Sequence, residues 1–260
     1  SRLRTNGQGG AETVVKTWSG SMYNHVQKKT DPDSSYRVET PSTAMDARGT
    51  HFMVTVDPYT GLIKLVVNAG IVDRDAGTDN PVLPSQQVTD FSGMDSVPAI
   101  EYVNPEDITV HVSTEVLAKM LRNKALIDGE NEELLEHIHE LDDEAVLRLV
   151  DEETLARYRS NVENQLIHIL RSAVESGKLE METANEIIET ANRLIEEPNR
   201  KYDLEREVPP IDRTVGIDPE EEQRRQQMRE RSEQQRRERE QQKDLKQEDV
   251  ANNDPGLQER

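Results

Sequence analysis

Cysteine is absent from this chain, which excludes disulfide frameworks, thiolate metal sites and cysteine nucleophiles. The absence suits exported and cytosolic proteins alike. Aromatic residues are scarce, with one Trp, six Tyr and two Phe. The apolar share is 33% of 260 residues, below the roughly 45–50% of an ordinary globular chain. Much of the chain therefore lies in solvent. No run reaches the roughly 18 consecutive apolar residues of a membrane-spanning helix. Basic charge is also short: 32 Lys and Arg face 52 Asp and Glu, a net charge of −20. Such a chain repels phosphate backbones and anionic lipid, so neither nucleic acid nor a membrane surface is expected as a partner. The opening at Ser1 rather than Met fits a chain cut from a longer one, with a signal or membrane anchor expected upstream.

What is present changes character near residue 110. Residues 1–110 carry 9 basic and 14 acidic residues, and residues 111–260 carry 23 and 38. In the first part, short β-branched runs are separated by Gly, Pro, Asp and Asn, which predicts strands at Thr13–Trp18, Met22–Gln27, Ser35–Glu39, Thr50–Asp57 and Leu62–Asn68. In the fourth run Phe52, Val54 and Val56 alternate with Met53 and Thr55, placing one apolar row toward a core. Asp57 to Gly61 reads as a hairpin loop, with Gly61 supplying a positive φ. Gln86–Phe91 reads as a last, edge strand before a linker.

Beyond Val110 the apolar period becomes helical. Val116, Leu117, Met120 and Leu121 predict a helix from about 114 to 128, capped by Ser113 or Thr114 and stopped by Gly129. Leu134, Leu135, Ile138 and Leu141 predict a second, and Asp142 caps a short third over Ala145–Leu149. Asp151 caps a longer helix running to Gly177, and a last one spans about Glu182–Glu196 before Pro198. From Asp218 to Asp254 the chain is almost wholly Glu, Arg, Gln and Lys, without the apolar a and d positions of a coiled coil, so a solvated helix and disorder both remain open.

The most informative stretch is Tyr36 to Val72, YRVETPSTAMDARGTHFMVTVDPYTGLIKLVVNAGIV. A strand ends in Thr40 and Pro41, and small residues Ala44 and Ala47 follow. Arg48, Gly49 and Thr50 then lead into Phe52, Val54 and Val56, a hairpin turns at Gly61, and a second strand closes in Gly70 and Val72. This array resembles the core of a FecR domain, and Trp18 to Val26 is similar to the family's preceding segment. The likeness covers roughly residues 1–91, with the family's amino-terminal strands lacking. It implies a β-rich, extracytoplasmic module. In the family's best-known members the domain relays a signal from an outer-membrane receptor to a sigma factor through an anti-sigma regulator; other members are exported or surface proteins. On the residues alone the motif reads as scaffold. Pro41 ends one strand and holds Thr40 extended, Gly49 permits a bulge, and the Arg48 fork is expected to tie loop carbonyls or a carboxylate such as Asp46 or Asp57.

No catalytic constellation is legible, and no enzyme activity, cofactor or metal is expected. Asp73, Asp75 and Asp79 imitate a calcium loop, but Gly77 and Thr78 replace a ligand and the required glycine, and Pro84 stands where the bidentate Glu belongs, so a polar turn is the reading. His137 and His139 are two apart on a helix and point apart, and His168 sits among apolar neighbours as a core or boundary residue. Gly7 to Gly10 lacks the strand and helix context of a nucleotide loop. The expected fold class is α+β: an antiparallel β domain at 1–91, open between a sandwich and a flattened roll, a linker at 92–110, a helical region at 111–200 and a charged tail at 201–260. The expected function is a non-catalytic envelope module, periplasmic or at the cell surface, that binds a protein partner or an envelope ligand. The alternative is a structural surface protein whose acidic helices mediate assembly or wall association.

Overall fold

The computed structural model describes residues 2–5, 11–27, 34–74, 81–91, 99–140, 151–194 and 202–213; the side chains of 2–5, 48, 74, 90, 91, 99, 107, 110, 111 and 139 lie outside the description. Residues Ser1–Gly216 form one unit and Ile217–Arg260 another. The predicted cap at Asp142, Pro198, Asp75 and Asp79 of the calcium-like loop, Gly7 to Gly10 and the charged segment from Asp218 all fall outside the described residues.

The fold is α+β, a curled mixed sheet with helices against one face. Its strands are β1 (Arg2–Thr5), β2 (Ala11–Lys16), β3 (Gly20–Val26), β4 (Ser35–Glu39), β5 (Ala44–Val56), β6 (Leu62–Arg74), β7 (Gln86–Phe91) and β8 (Ala99–Tyr102). They run in the order β1-β2-β4-β5-β6-β7-β8, with β3 also paired to β5. All pairings are antiparallel except β2 with β4. One edge of β5 is thus divided, with β4 against Ala44–Ala47 and β3 against Thr50–Val56. The sheet expected as wholly antiparallel is mixed because β3 leaves to pair elsewhere, so β2 and β4 meet side by side.

The two faces of β5 and β6 bury into different cores. Phe52, Val54, Val56, Ile63, Leu65 and Val67 pack with Val38, Met45 and Val72 inside the curl of the sheet. Met53, Val66 and Ala69 point the other way, into a second core built mostly from helices. The row expected to face a core does so, and the alternate residues are buried as well, Met53 as fully as Phe52. A strand pair covered on both sides reads as a continuous apolar run, which is what Leu62–Val67 is apart from Lys64.

The helices are α1 (Pro105–His111), α2 (Thr114–Arg122), α3 (Lys124–Glu136), α4 (Glu152–Glu175) and α5 (Met181–Arg193), with a 3₁₀ turn at Ile138–Glu140. Ser113 caps α2 by accepting from Val116 N–H, and Asp151 caps α4 by accepting from Thr154 N–H, as the sequence predicts. Gly129 is not a stop; it lies on the exposed side of α3. The predicted 114–128 helix instead breaks at Asn123, whose side chain makes no cap bond and donates to the Tyr23 hydroxyl at 3.4 Å.

The expected linker at 92–110 holds ordered structure within its described residues. β8 pairs with β7, so β7 is an inner strand and not an edge. Asn104 caps α1, with Pro105 opening it, a start signal that the Pro-rich surroundings disguised. The first residues of the expected tail, Tyr202–Arg213, run along α4 and α5. Asn161 and the Asp212 backbone exchange two hydrogen bonds of 2.8 and 2.7 Å, as do Asn192 and the Tyr202 backbone at 2.8 and 2.7 Å. Arg171 donates to the Leu204 carbonyl at 2.9 Å.

Candidate functional site

The residues singled out by the sequence form turns and a corner of the sheet. Thr40 closes a tight turn: its N–H and hydroxyl both donate to the Thr43 carbonyl at 2.9 Å, and its hydroxyl oxygen accepts from Thr43 N–H at 3.1 Å. Pro41 occupies that turn in solvent. At the hairpin, Asp57 accepts from Tyr59 and Thr60 N–H, each at 2.8 Å, and Gly61 has φ of +69°.

The Arg48-Gly49-Thr50 segment is the irregular joint between β5 and β6, where the register shifts twice between Arg48 and Phe52. Gly49 and Gly70 both have positive φ, +58° and +72°. They approach so closely that a Cβ on Gly70 would lie 2.4 Å from the Gly49 carbonyl oxygen. Thr50 and Phe52 are fully buried beside this corner. The Arg48 side chain lies outside the description, but Asp46, a partner expected for it, is taken by Arg37 through bonds of 2.8 and 2.6 Å. Opposite strands place Arg37 and Asp46 face to face.

The register shift leaves Asn68 as an extra residue in β6, since His51 pairs with Ala69 and Phe52 with Val67. Its backbone and side chain must find partners off the ladder. Helices supply partners for its two oxygens: Asn131 of α3 donates to the Asn68 carbonyl at 2.9 Å, and Gln165 of α4 donates to Asn68 Oδ1 at 2.9 Å. The glycine corner thus sets where two helices sit on the sheet.

Beside that joint stands a cluster that sequence reasoning missed. His25 of β3 and His51 of β5 are directly opposite one another in the strand register, and their rings stack with centroids 4.1 Å apart and planes at 19°. Glu130 of α3 approaches from the helical layer, with Oε1 3.4 Å from His51 Nε2. One donor atom from each of the three lies within 4.8 Å of the others. His51 is 0% exposed, and its Nδ1 lies 2.9 Å from the Tyr23 hydroxyl. His51 Nε2 and Glu130 Oε2 are buried atoms without a hydrogen-bond partner.

Burial shifts the titration of two of these groups, Tyr23 and His25. Burial, and then the Glu130 charge against the lowering effect of Asn123, pushes the Tyr23 hydroxyl up to about 12. Burial first and His51 second hold His25 below its ordinary value of 6.5, with Lys119 adding to the fall and Glu130 opposing it. Glu130 also lines a cleft of about 250 Å³ between the Gly49–Gly70 corner and α3, shared with Leu134 and His137. The period-two pattern could have put Tyr23 and His25 on one face of β3, but no local signal gives the β3–β5 register or brings α3 to it. His137 takes no part: its Nδ1 lies 2.9 Å from the Glu133 carbonyl of its own helix. His168 sits at the boundary as expected, with Nε2 2.9 Å from the Pro209 carbonyl.

No protein-family profile matches the sequence, and no curated protein matches it either. Two solved structures are similar over part of their length, both crystal structures of a provisionally assigned anti-sigma factor from Parabacteroides distasonis ATCC 8503. In each case the identity is 16% and the TM-score 0.32, with 42% of this chain covering 58% of the other. A likeness of this size shows neither a shared family nor a shared function.

Proposed function

We propose that this chain is a non-catalytic, FecR-type recognition module that engages a protein partner on the outer side of the cell membrane. The motif supports the reading, because each of its turn and corner residues with a described side chain serves to shape the sheet. The observation that carries it is the end of the sheet where β3 begins and β5 finishes. Gly20 pairs with Val56, so the turn holding Trp18 and the hairpin holding Tyr59 leave the sheet at the same end. Trp18 is 65% exposed and Tyr59 95% exposed. A chain with a single Trp, held in water at the same end of the sheet as an exposed Tyr, presents the residue types that dominate binding energy at protein interfaces.

The test is a photo-crosslinking amino acid placed at position 59 of the full-length protein in its native cells, combined with protease added outside intact cells. One stoichiometric partner, lost when Trp18→Ser is introduced and kept with the exposed control Leu126→Ser, supports recognition. Crosslinks only to a second copy of the same chain would favour a structural, assembling surface protein instead. Protection from external protease in cells whose outer barrier is opened would refute the extracytoplasmic placement.

A further inference from the structure

We propose that His25, His51 and Glu130 form a binding site for a divalent transition-metal ion of the zinc class, which clamps α3 onto the β3–β5 pair. Two imidazoles and a carboxylate are a donor set zinc accepts, commonly with a solvent molecule in the fourth position. The distances suit it. A tetrahedral ion with ligands at about 2.0–2.1 Å sets neighbouring donor atoms about 3.3 Å apart, and His51 Nε2 stands 3.4 Å from Glu130 Oε1. That gap is long for a hydrogen bond and already right for two ligands of one ion. The third ligand comes from the exposed side, where His25 must turn out of its stack on His51 to bring its donor in from within 4.8 Å.

The unsatisfied atoms point the same way. His51 is fully buried, yet its Nε2 has no hydrogen-bond partner, and Glu130 Oε2 is likewise orphaned. Buried polar atoms left without partners are costly, and an ion held between them removes that cost. The second ring nitrogen of His51 is already placed: Nδ1 faces the Tyr23 hydroxyl at 2.9 Å, which in turn accepts from Asn123 at 3.4 Å. A metal-ligating imidazole characteristically donates its other N–H to such an outer partner, which fixes the tautomer with the Nε2 lone pair free. Zinc and its neighbours prefer imidazole nitrogen over the all-oxygen sets of calcium and magnesium, which selects the class of ion. Of the three ligands, Glu130 also lines the cleft at Gly49 and Gly70.

Among the described residues, the charged and titratable groups facing the site are Tyr23, Lys119 and the three ligands themselves, with Glu133 and His137 along the adjoining cleft. The ion would join β3, β5 and α3, three elements distant in sequence, so its binding is a tertiary clamp and not a local loop.

The experiment uses the full 260-residue chain without a histidine tag, titrated with Zn²⁺ against a chromogenic chelator and with Co²⁺ by visible absorption. The expected result is one ion per chain, a four-coordinate Co²⁺ spectrum and a raised melting temperature with Zn²⁺. His25→Ala lies on the exposed rim, and it should weaken binding by at least about tenfold, as should Glu130→Gln, while His137→Ala leaves it unchanged; Tyr23→Phe should cost about tenfold through the outer partner. Absence of stoichiometric binding by the wild-type chain would overturn the proposal. So would binding that survives both His25→Ala and Glu130→Gln, or that disappears with His137→Ala. If His51→Gln fails to fold, the His25 variant alone keeps the test decisive.

Discussion

Gly70 has a φ of +72° and no room for a methyl group, because the Gly49 carbonyl and the Thr50 methyl would lie 2.4 and 2.7 Å away. Gly70→Ala therefore meets both a disfavoured backbone and a backbone clash, and should cost about 1–3 kcal/mol, read as a fall in the urea midpoint. Its counterpart is Gly129, whose Cβ would meet nothing within 4 Å on the exposed side of α3. Gly129→Ala should stabilise the chain by about 0.5–1 kcal/mol in the same assay. His168 answers to pH. Burial, with Arg171 aiding and the Pro209 carbonyl opposing, holds its folded value below the 6.5 of the free side chain. The unfolded chain then binds its proton first, so stability present above about pH 6.5 declines as pH falls toward the folded value. His168→Gln should flatten that part of the stability profile measured by denaturant melts between pH 7.5 and 5. The sequence marked His168 as a boundary residue and Gly70 as part of a motif. It could not mark Gly70's obstacle, because the atom that fills the space belongs to a residue 21 positions earlier and is reached only through the β5–β6 register.

Elements were most legible where one local signal was enough. Ser35–Glu39 and Gln86–Phe91 match their predicted bounds, the hairpin turns at Gly61, and the caps at Ser113 and Asp151 hold their amides. Elements were misread where tertiary contacts decided. β5 begins at Ala44, before the predicted Thr50, because β4 pairs with the segment that had looked like a turn of small residues. β8 is four residues long, and Tyr102 is buried in it where β8 pairs with β7. α3 runs through Gly129, its buried face formed by Lys124, Ile127, Asn131 and Leu135. That face carries Asn131 to the Asn68 bulge and leaves Glu130 next to His51. The metal-type cluster was illegible for the same reason: a cross-strand pair becomes a pair only once register is known, and an acidic residue on a helix has no address until the helix is docked.

At the scale of the molecule, the sheet and the helices share a core. Met53, Val66 and Ala69 lie with Leu117, Leu121, Ile169 and Leu170 in one cluster. A chain ending at residue 110 keeps every described strand but loses that cover, and should elute as aggregates with weak near-ultraviolet circular dichroism, whereas a chain ending at residue 216 should stay in solution and unfold cooperatively. Composition had pointed to a chain much of which lies in solvent; within the described residues the apolar share gathers in two cores between residues 22 and 204. One edge of β5 serves two strands, and this has a kinetic meaning. Neither β3 nor β4 has its template until β5 is aligned with β6, and β2 can join only after β4. The local β5–β6 hairpin is thus the expected nucleus: changes within Asp57–Gly61 should slow refolding in stopped-flow mixing, while changes in β2 should mainly speed unfolding.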